Sequence, residues 1–445
     1  MWDRIKIAGG IISAVIIAGF LFMPSSQKPA DGKIHLQYWY VSGDQEQIPF
    51  HAREFNSSQD SIVVDCTPLP WNEHEKKILT AILSGNPPDV VNLVSPVAKW
   101  ASRFALVPLD SLMKESSFDS TIFFPALWNE MKWRNRIYAI PLYSNSYAFF
   151  YNKKLFKEAG LDPNKPPTTW EQVLEYSKKL TKRDDKGRIY QIGFIPNYGN
   201  LSTAMLMAWE LGAKFLIDGG TKVDMTNPAM IRALTWVTNY YNEYNINDVS
   251  SFMAGFGYAD QQGFISQKVA MMVLDNTFPD QIKLYNPNLQ YGVSLIPSFK
   301  GYPTASSSGS WWLAIPRGAK HIKAAWEFMQ FAVRKEVQLK EAESEKVILY
   351  PANKYAAGDS SFVRDDYAKI IFNEEMDYSH SPTIVPLAHD VFWREFIGAR
   401  DRAIHKIQTP IAALQQAQSA IQQQLNQAID YDNYVQSRMS IKEPK

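Results

Sequence analysis

The chain has 445 residues, enough for two or three domains of ordinary size. It is 46% hydrophobic and 20% charged, which excludes a disordered chain, and its net charge of +1 argues against binding nucleic acid by phosphate neutralisation. The single cysteine, Cys66, excludes a disulfide framework or a cysteine-based metal site within the chain. It lies in the strand-like IVVDCT and reads as a core bystander. Aromatic residues make up 13%, more than core building needs, and Trp and Tyr suit surfaces that are apolar and wettable at once.

Arg4 and Lys6 precede an uncharged apolar run, Ile7–Met23. As a helix it would measure roughly 26 Å, against a hydrocarbon core of roughly 30 Å. The preceding basic residues place the rest of the chain outside the cytoplasm. Phe22, Met23 and Pro24 make a poor cleavage site, and no cysteine follows to carry a lipid. The segment is therefore expected to be either a cleaved signal or a retained anchor, followed by a polar linker to residue 32.

From Ile34 the sequence alternates strand and helix. IHLQYWY reads as a strand, Gln45–Asn56 as a helix and SIVVDCTPLP as a strand; Trp71–Leu83 is helical and DVVNLV is a third strand. This is an α/β pattern with a mainly parallel sheet, and ligands in such sheets sit beyond the carboxyl ends of the strands. Arg136–Pro141 and Ala148–Asn152 read as two strands with Tyr143–Tyr147 between them. Thr169 is an N-cap for a helix over Trp170–Leu180. Ile189–Ile195 is a strand, Leu201–Leu211 and Met230–Tyr244 are helical, and Lys268–Leu274 is a short buried strand. Lys300–Ser308 reads as a loop, after which WWLAIP begins a strand. Lys320–Val333 is an amphipathic helix, and Pro410–Ile429 a long one rich in Ala and Gln. Side chains alternate across a strand, so Trp311 and Trp312 point to opposite sides, one into a core and one toward a cleft.

No GxGxxG, GxxxxGK[ST], GxSxG or HExxH occurs, and the seven histidines are scattered. Carboxylates are plentiful but show no paired spacing. These absences weigh against a glycoside-active enzyme and offer no catalytic or metal-binding residues and no cofactor site.

Several stretches together carry a family resemblance: LPWNEHEKKILTAILSGNPPDVV, FALVPLD, RIYAIPLY, YNKKLFKEAGLDPNKPPTTW, FISQKVAMMV, YGVSLIPSFKG, GSWWLAIPRGAKHIKAAWEFMQF and TPIAALQQA. The chain resembles the extracytoplasmic solute-binding proteins of bacterial ABC importers, in the carbohydrate-binding group related to maltose-binding protein. The resemblance runs from Ile34 to about Ile429. It implies a two-lobed α/β periplasmic-binding-protein fold with three interlobe crossovers, here near Ser144–Ala148, Leu274–Phe278 and Ser308–Trp311. Lobe one would hold residues 33–146 and 275–309, lobe two 147–274 and 310–440.

The resemblance further implies a monomer that captures a sugar or oligosaccharide by closing the cleft. It would deliver the sugar to a permease heterodimer with its ATPases, at the outer face of the cytoplasmic membrane or in the periplasm. Rings that could cover a sugar's apolar face are Trp39, Trp71, Tyr143, Phe278 and Trp311; polar partners are Asp44, Ser95, Asn145, Asn276 and Ser310. Three of them also have a plain structural reading: Trp39 as a core residue, Trp71 as a helix staple, Asn276 as a hinge turn. The alternatives are a receptor for a non-sugar solute such as a glycerol phosphate compound, with Arg134 or Arg394 supplying charge, and a membrane-tethered sugar sensor.

Overall fold

The computed structural model describes residues 31–42, 48–198, 201–256, 262–344, 350–364 and 366–440. The apolar run Ile7–Met23 and Asp44 lie outside the described residues. No helix among the described residues is long and apolar enough to cross a membrane.

The first third follows the alternation in the sequence. Strand β1 (Ile34–Val41) leads through helix α1 (Phe50–Ser58) to β2 (Ile62–Leu69), then through α2 (His74–Leu83) to β3 (Val90–Leu93). β1 is parallel to both β2 and β3. Leu36, Tyr38 and Tyr40 face one core, and Trp39 packs against another on the opposite side of the sheet, as period-two alternation requires. Two short helices follow, α3 (Val97–Ala101) and α4 (Pro125–Glu130).

The segments expected as two strands around Tyr143–Tyr147 form one strand, β4, Ile140–Asn152. Helix α5 (Trp170–Leu180) has the expected bounds, and the Thr169 side chain accepts from the Gln172 amide as its cap. Strand β5 (Ile189–Ile195), helix α6 (Thr203–Glu210) and helix α7 (Pro228–Tyr244) follow. Strand β6 (Val269–Asp275) runs antiparallel to the second half of β4 and parallel to β5. Helix α8 (Phe278–Tyr285) and strand β7 (Tyr291–Ser294) come next, and β7 pairs with Phe149–Asn152.

Strand β8 spans Ser306–Ala314 and begins earlier than the sequence suggests. Its serines are buried, and three of their hydroxyls donate to backbone carbonyls: Ser306 to that of Tyr147, Ser307 to that of His380 and Ser310 to that of Tyr143. Residues that usually mark loops thus form ladder here because the partner strand pairs their backbone and most of the hydroxyls find an acceptor, the buried Ser308 hydroxyl being the exception. β8 is antiparallel to β4, with Ser308 opposite Ser146 and Ser310 opposite Ser144, and its end pairs antiparallel with β3. Helices α9 (Ile322–Ala332), α10 (Lys335–Ser344), α11 (His389–Ile404) and α12 (Pro410–Ser440) complete the elements that matter for the site.

The strands form one continuous sheet in the order β2-β1-β3-β8-β4-β6-β5. It is less parallel than expected, because the long strands β4 and β8 run antiparallel to their neighbours. Apolar cores gather at both ends. The larger joins residues 148–305 with 350–425; the others join residues 36–142 with 312–337 and a few later side chains. The expected grouping of later segments is therefore exchanged. Residues 278–305 pack with 148–274 because β7 extends the sheet beside the second half of β4, and residues 312–337 pack with the first core because Trp312–Ala314 pair with β3.

Candidate functional site

β4 and β8 run from one core to the other, so the surface beside their paired middles is walled by both. A cavity of about 450 Å³ lies there, within the range of small-molecule sites. The middle strands supply Asn145, Tyr147, Ser307 and Gly309. Val94 and Pro96 come from the carboxyl end of β3, and Glu130 from the end of α4. The opposite wall is Thr383 with His389, Asp390, Trp393, Arg394 and Ile397 of α11, whose spacing of three and four residues puts them on one helix face.

The polar groups here are unevenly satisfied. The Thr383 hydroxyl donates to Glu130 Oε1 at 2.8 Å, joining the two walls. Glu130 Oε2 is buried without a partner, and burial pushes its carboxyl up to about 7, against the opposing hydrogen bond of Thr383. His389 Nδ1 is likewise buried and unpartnered, and burial pushes that imidazole down. Arg394 donates twice to Glu395, at 3.0 and 2.8 Å, so its charge is already answered. Lys99 binds Glu75 at 2.8 Å and lies 3.6 Å from Asp390 across the cavity's edge. Trp393 donates to the Pro382 carbonyl at 3.0 Å.

The residues singled out from sequence fall into three groups. Asn145 lines the cavity, and its Nδ2 donates to Oδ1 of Asn276 at 3.4 Å, while Asn276 donates to the Ser144 carbonyl. Trp71 is 59% exposed, and its ring centroid lies 5.7 Å from that of half-buried Trp311. Trp312 is fully buried on the other side, its indole donating to the Ser95 carbonyl at 2.9 Å.

The third group is tied up elsewhere. Ser95 Oγ accepts from Trp100, and the Tyr143 hydroxyl donates to Glu341. Ser310 is buried, with its hydroxyl on the backbone carbonyls of Tyr143 and Trp311. Trp39 packs against the core that holds Leu69, Ile78 and Val91. Phe278 is a correction. It is fully buried between Phe150 and Phe264 in the larger core and presents no face to a ligand, because the chain stays in that core after β6.

Sequence reading missed Glu130, Tyr147, Thr383, His389, Asp390 and Trp393. The helical spacing of His389, Asp390, Trp393, Arg394 and Ile397 was a usable signal; nothing in the sequence ties Glu130 to Thr383, more than two hundred residues away.

A cavity walled by two cores and floored by two shared strands defines the α/β periplasmic-binding-protein class. The fold matches the sugar-binding protein MalE from Xanthomonas citri at a TM-score of 0.77 and 18% identity, over 92% of this chain and 100% of that one. The chain belongs to the bacterial extracellular solute-binding protein family, whose profile matches residues 43–339. It is a solute-binding protein, not an enzyme. It is similar to CpMnBP1, solved with mannotriose bound, at 27% identity and a TM-score of 0.71, over 87% of this chain and all of that one. It is also 24% identical, over 345 residues, to the sn-glycerol-3-phosphate-binding periplasmic protein UgpB of Rhizobium meliloti, covering 74% of this chain and 76% of the relative.

Proposed function

We propose that this protein is the extracytoplasmic binding component of an ABC importer and captures a neutral sugar or oligosaccharide by cleft closure. The lobes would be residues 34–142 with 312–337, and residues 148–305 with 350–429. The middles of β4 and β8 would serve as the hinge. A ligand touching both walls stabilises only the closed state and so shifts the population toward it. Two permeases and two ATPases in the cytoplasmic membrane would receive the solute.

The observation that carries the sugar reading is the charge balance of the cavity. Arg394, which lines the cavity, is paired with Glu395; Lys99, beyond its edge, is paired with Glu75, and Arg134, outside its lining, with Asp432, while the carboxyl of Glu130 sits in the wall. A phosphate would meet no unengaged cation among these three and would face a carboxyl. A neutral polyol finds two rings, Tyr147 and Trp393, and several hydrogen-bonding groups. The likeness to CpMnBP1, solved with mannotriose, points the same way. The likeness to UgpB favours the second reading, a glycerol phosphate receptor. A thermal-shift screen of mono- and oligosaccharides beside sn-glycerol 3-phosphate tests the two, since a ligand bound only by the folded state raises the melting temperature. A sugar should raise it; a response to sn-glycerol 3-phosphate alone would overturn the sugar reading.

A further inference from the structure

A second cavity, of about 550 Å³, adjoins the first. His389 and Asp390, in the first turn of α11, line both, so the two meet there. The second lies between Lys99 and Arg103 on one side and the long C-terminal helix on the other. That helix presents Gln424, Gln427 and Tyr431 to it. Offsets of three, four and seven residues bring these side chains into one row.

The row is unusual for a helix that otherwise buries Leu414, Ala417, Ile421 and Leu425 on its inner side. Tyr431 is 60% exposed, an aromatic face available at the cavity wall. Two amides supply donors and acceptors beside it. Asp432 closes the end. Its side chain is 3% exposed, one carboxylate oxygen binds Arg134 from the opposite core, and Oδ1 is buried with no partner. An aromatic ring flanked by amides and an unfilled acceptor matches a sugar unit, with its apolar ring face and its hydroxyls.

We propose that this second cavity is a subsite that receives further units of an oligosaccharide whose first units occupy the cleft. The inference rests on the sugar reading and extends it: the ligand is an oligomer, and its chain leaves the cleft along the C-terminal helix past His389 and Asp390. A monosaccharide receptor would have no use for this row.

The test is calorimetric titration of the full chain with two linear series, mannobiose to mannotetraose and maltose to maltotetraose. Tyr431→Ala and, as a control outside the cavity on the same helix, Tyr434→Ala are titrated alongside. For the series that binds, the tetraose should bind about tenfold more tightly than the biose. Tyr431→Ala should remove most of that gain and leave the biose affinity unchanged, and Tyr434→Ala should do neither. Equal affinity for biose and tetraose, or loss of biose affinity in Tyr431→Ala, overturns the subsite while leaving the sugar reading standing. Absence of binding by every member of both series overturns the subsite, and the sugar reading falls with it only if the wider screen of mono- and oligosaccharides is silent as well.

Discussion

Replacing each of the two adjacent indoles by alanine should separate folding from binding. Trp312 is fully buried and donates to the Ser95 carbonyl at 2.9 Å, in a core with Leu93, Val97 and Met131. Truncating a buried Trp costs roughly 3–5 kcal/mol through lost burial and the cavity left behind. The abandoned Ser95 carbonyl adds about 1 kcal/mol or more unless water replaces the indole. Trp311 is only half-buried, and its ring contact is with exposed Trp71. Losing such a pair costs roughly 0.5–1.5 kcal/mol. Urea unfolding followed by circular dichroism should therefore show a large fall in midpoint for Trp312→Ala and a small one for Trp311→Ala. Titration with the sugar found by screening should show the reverse order, with Trp311→Ala losing more affinity. If Trp311→Ala unfolds far earlier while Trp312→Ala stays stable and binds poorly, the assignment of the two faces is wrong.

Burial pushes the carboxyl of Glu375 up to about 8, with one oxygen accepting from the Ile296 amide and the other unpartnered. Because the folded state holds this proton more tightly than the unfolded state does, the contribution is full below about pH 4.5 and declines as pH rises toward 8. Relative to Glu375→Gln, wild-type stability should fall across that window by on the order of 1.4 kcal/mol for each unit of pH, and parallel pH profiles of the two proteins would refute it. Gly193→Ala should cost about 3 kcal/mol or more, since a Cβ there would lie 2.3 Å from the Ser177 Cα; a normal melting temperature would refute that packing. Solution scattering should give a smaller radius of gyration with saturating sugar than without, and an unchanged radius would argue against hinge closure.

Local patterning made much of the fold legible. The β1-α1-β2-α2-β3 alternation, the Thr169 cap and the bounds of α5 follow from periodicity and capping chemistry that act within a few residues. β4 and β8 were legible only in their apolar parts. Asn145, Ser146, Ser308 and Gly309 look like loop, and they form ladder because the partner strand satisfies them. The exchanged later segments have the same origin: apolar content predicts burial but not which core a segment enters. That is fixed by pairings such as Trp312 with Leu93 across a long sequence gap.

The site was less legible than the fold. The pairing of Asn145 with Asn276 and of Trp71 with Trp311 brings flagged residues together. Phe278, chosen as an aromatic near an expected crossover, proved to be core. The wall built from Glu130, Thr383 and α11 joins segments that meet only when both cores are formed.

The most direct test of the central claim is calorimetric titration of the purified protein with mannotriose, other oligosaccharides and sn-glycerol 3-phosphate, followed by chromatography of the recovered ligand. A neutral oligosaccharide should bind saturably, one per chain, and be recovered unchanged, while sn-glycerol 3-phosphate should give no heat of binding. Binding of sn-glycerol 3-phosphate with no response to any sugar would contradict the claim, as would recovery of the sugar in cleaved form.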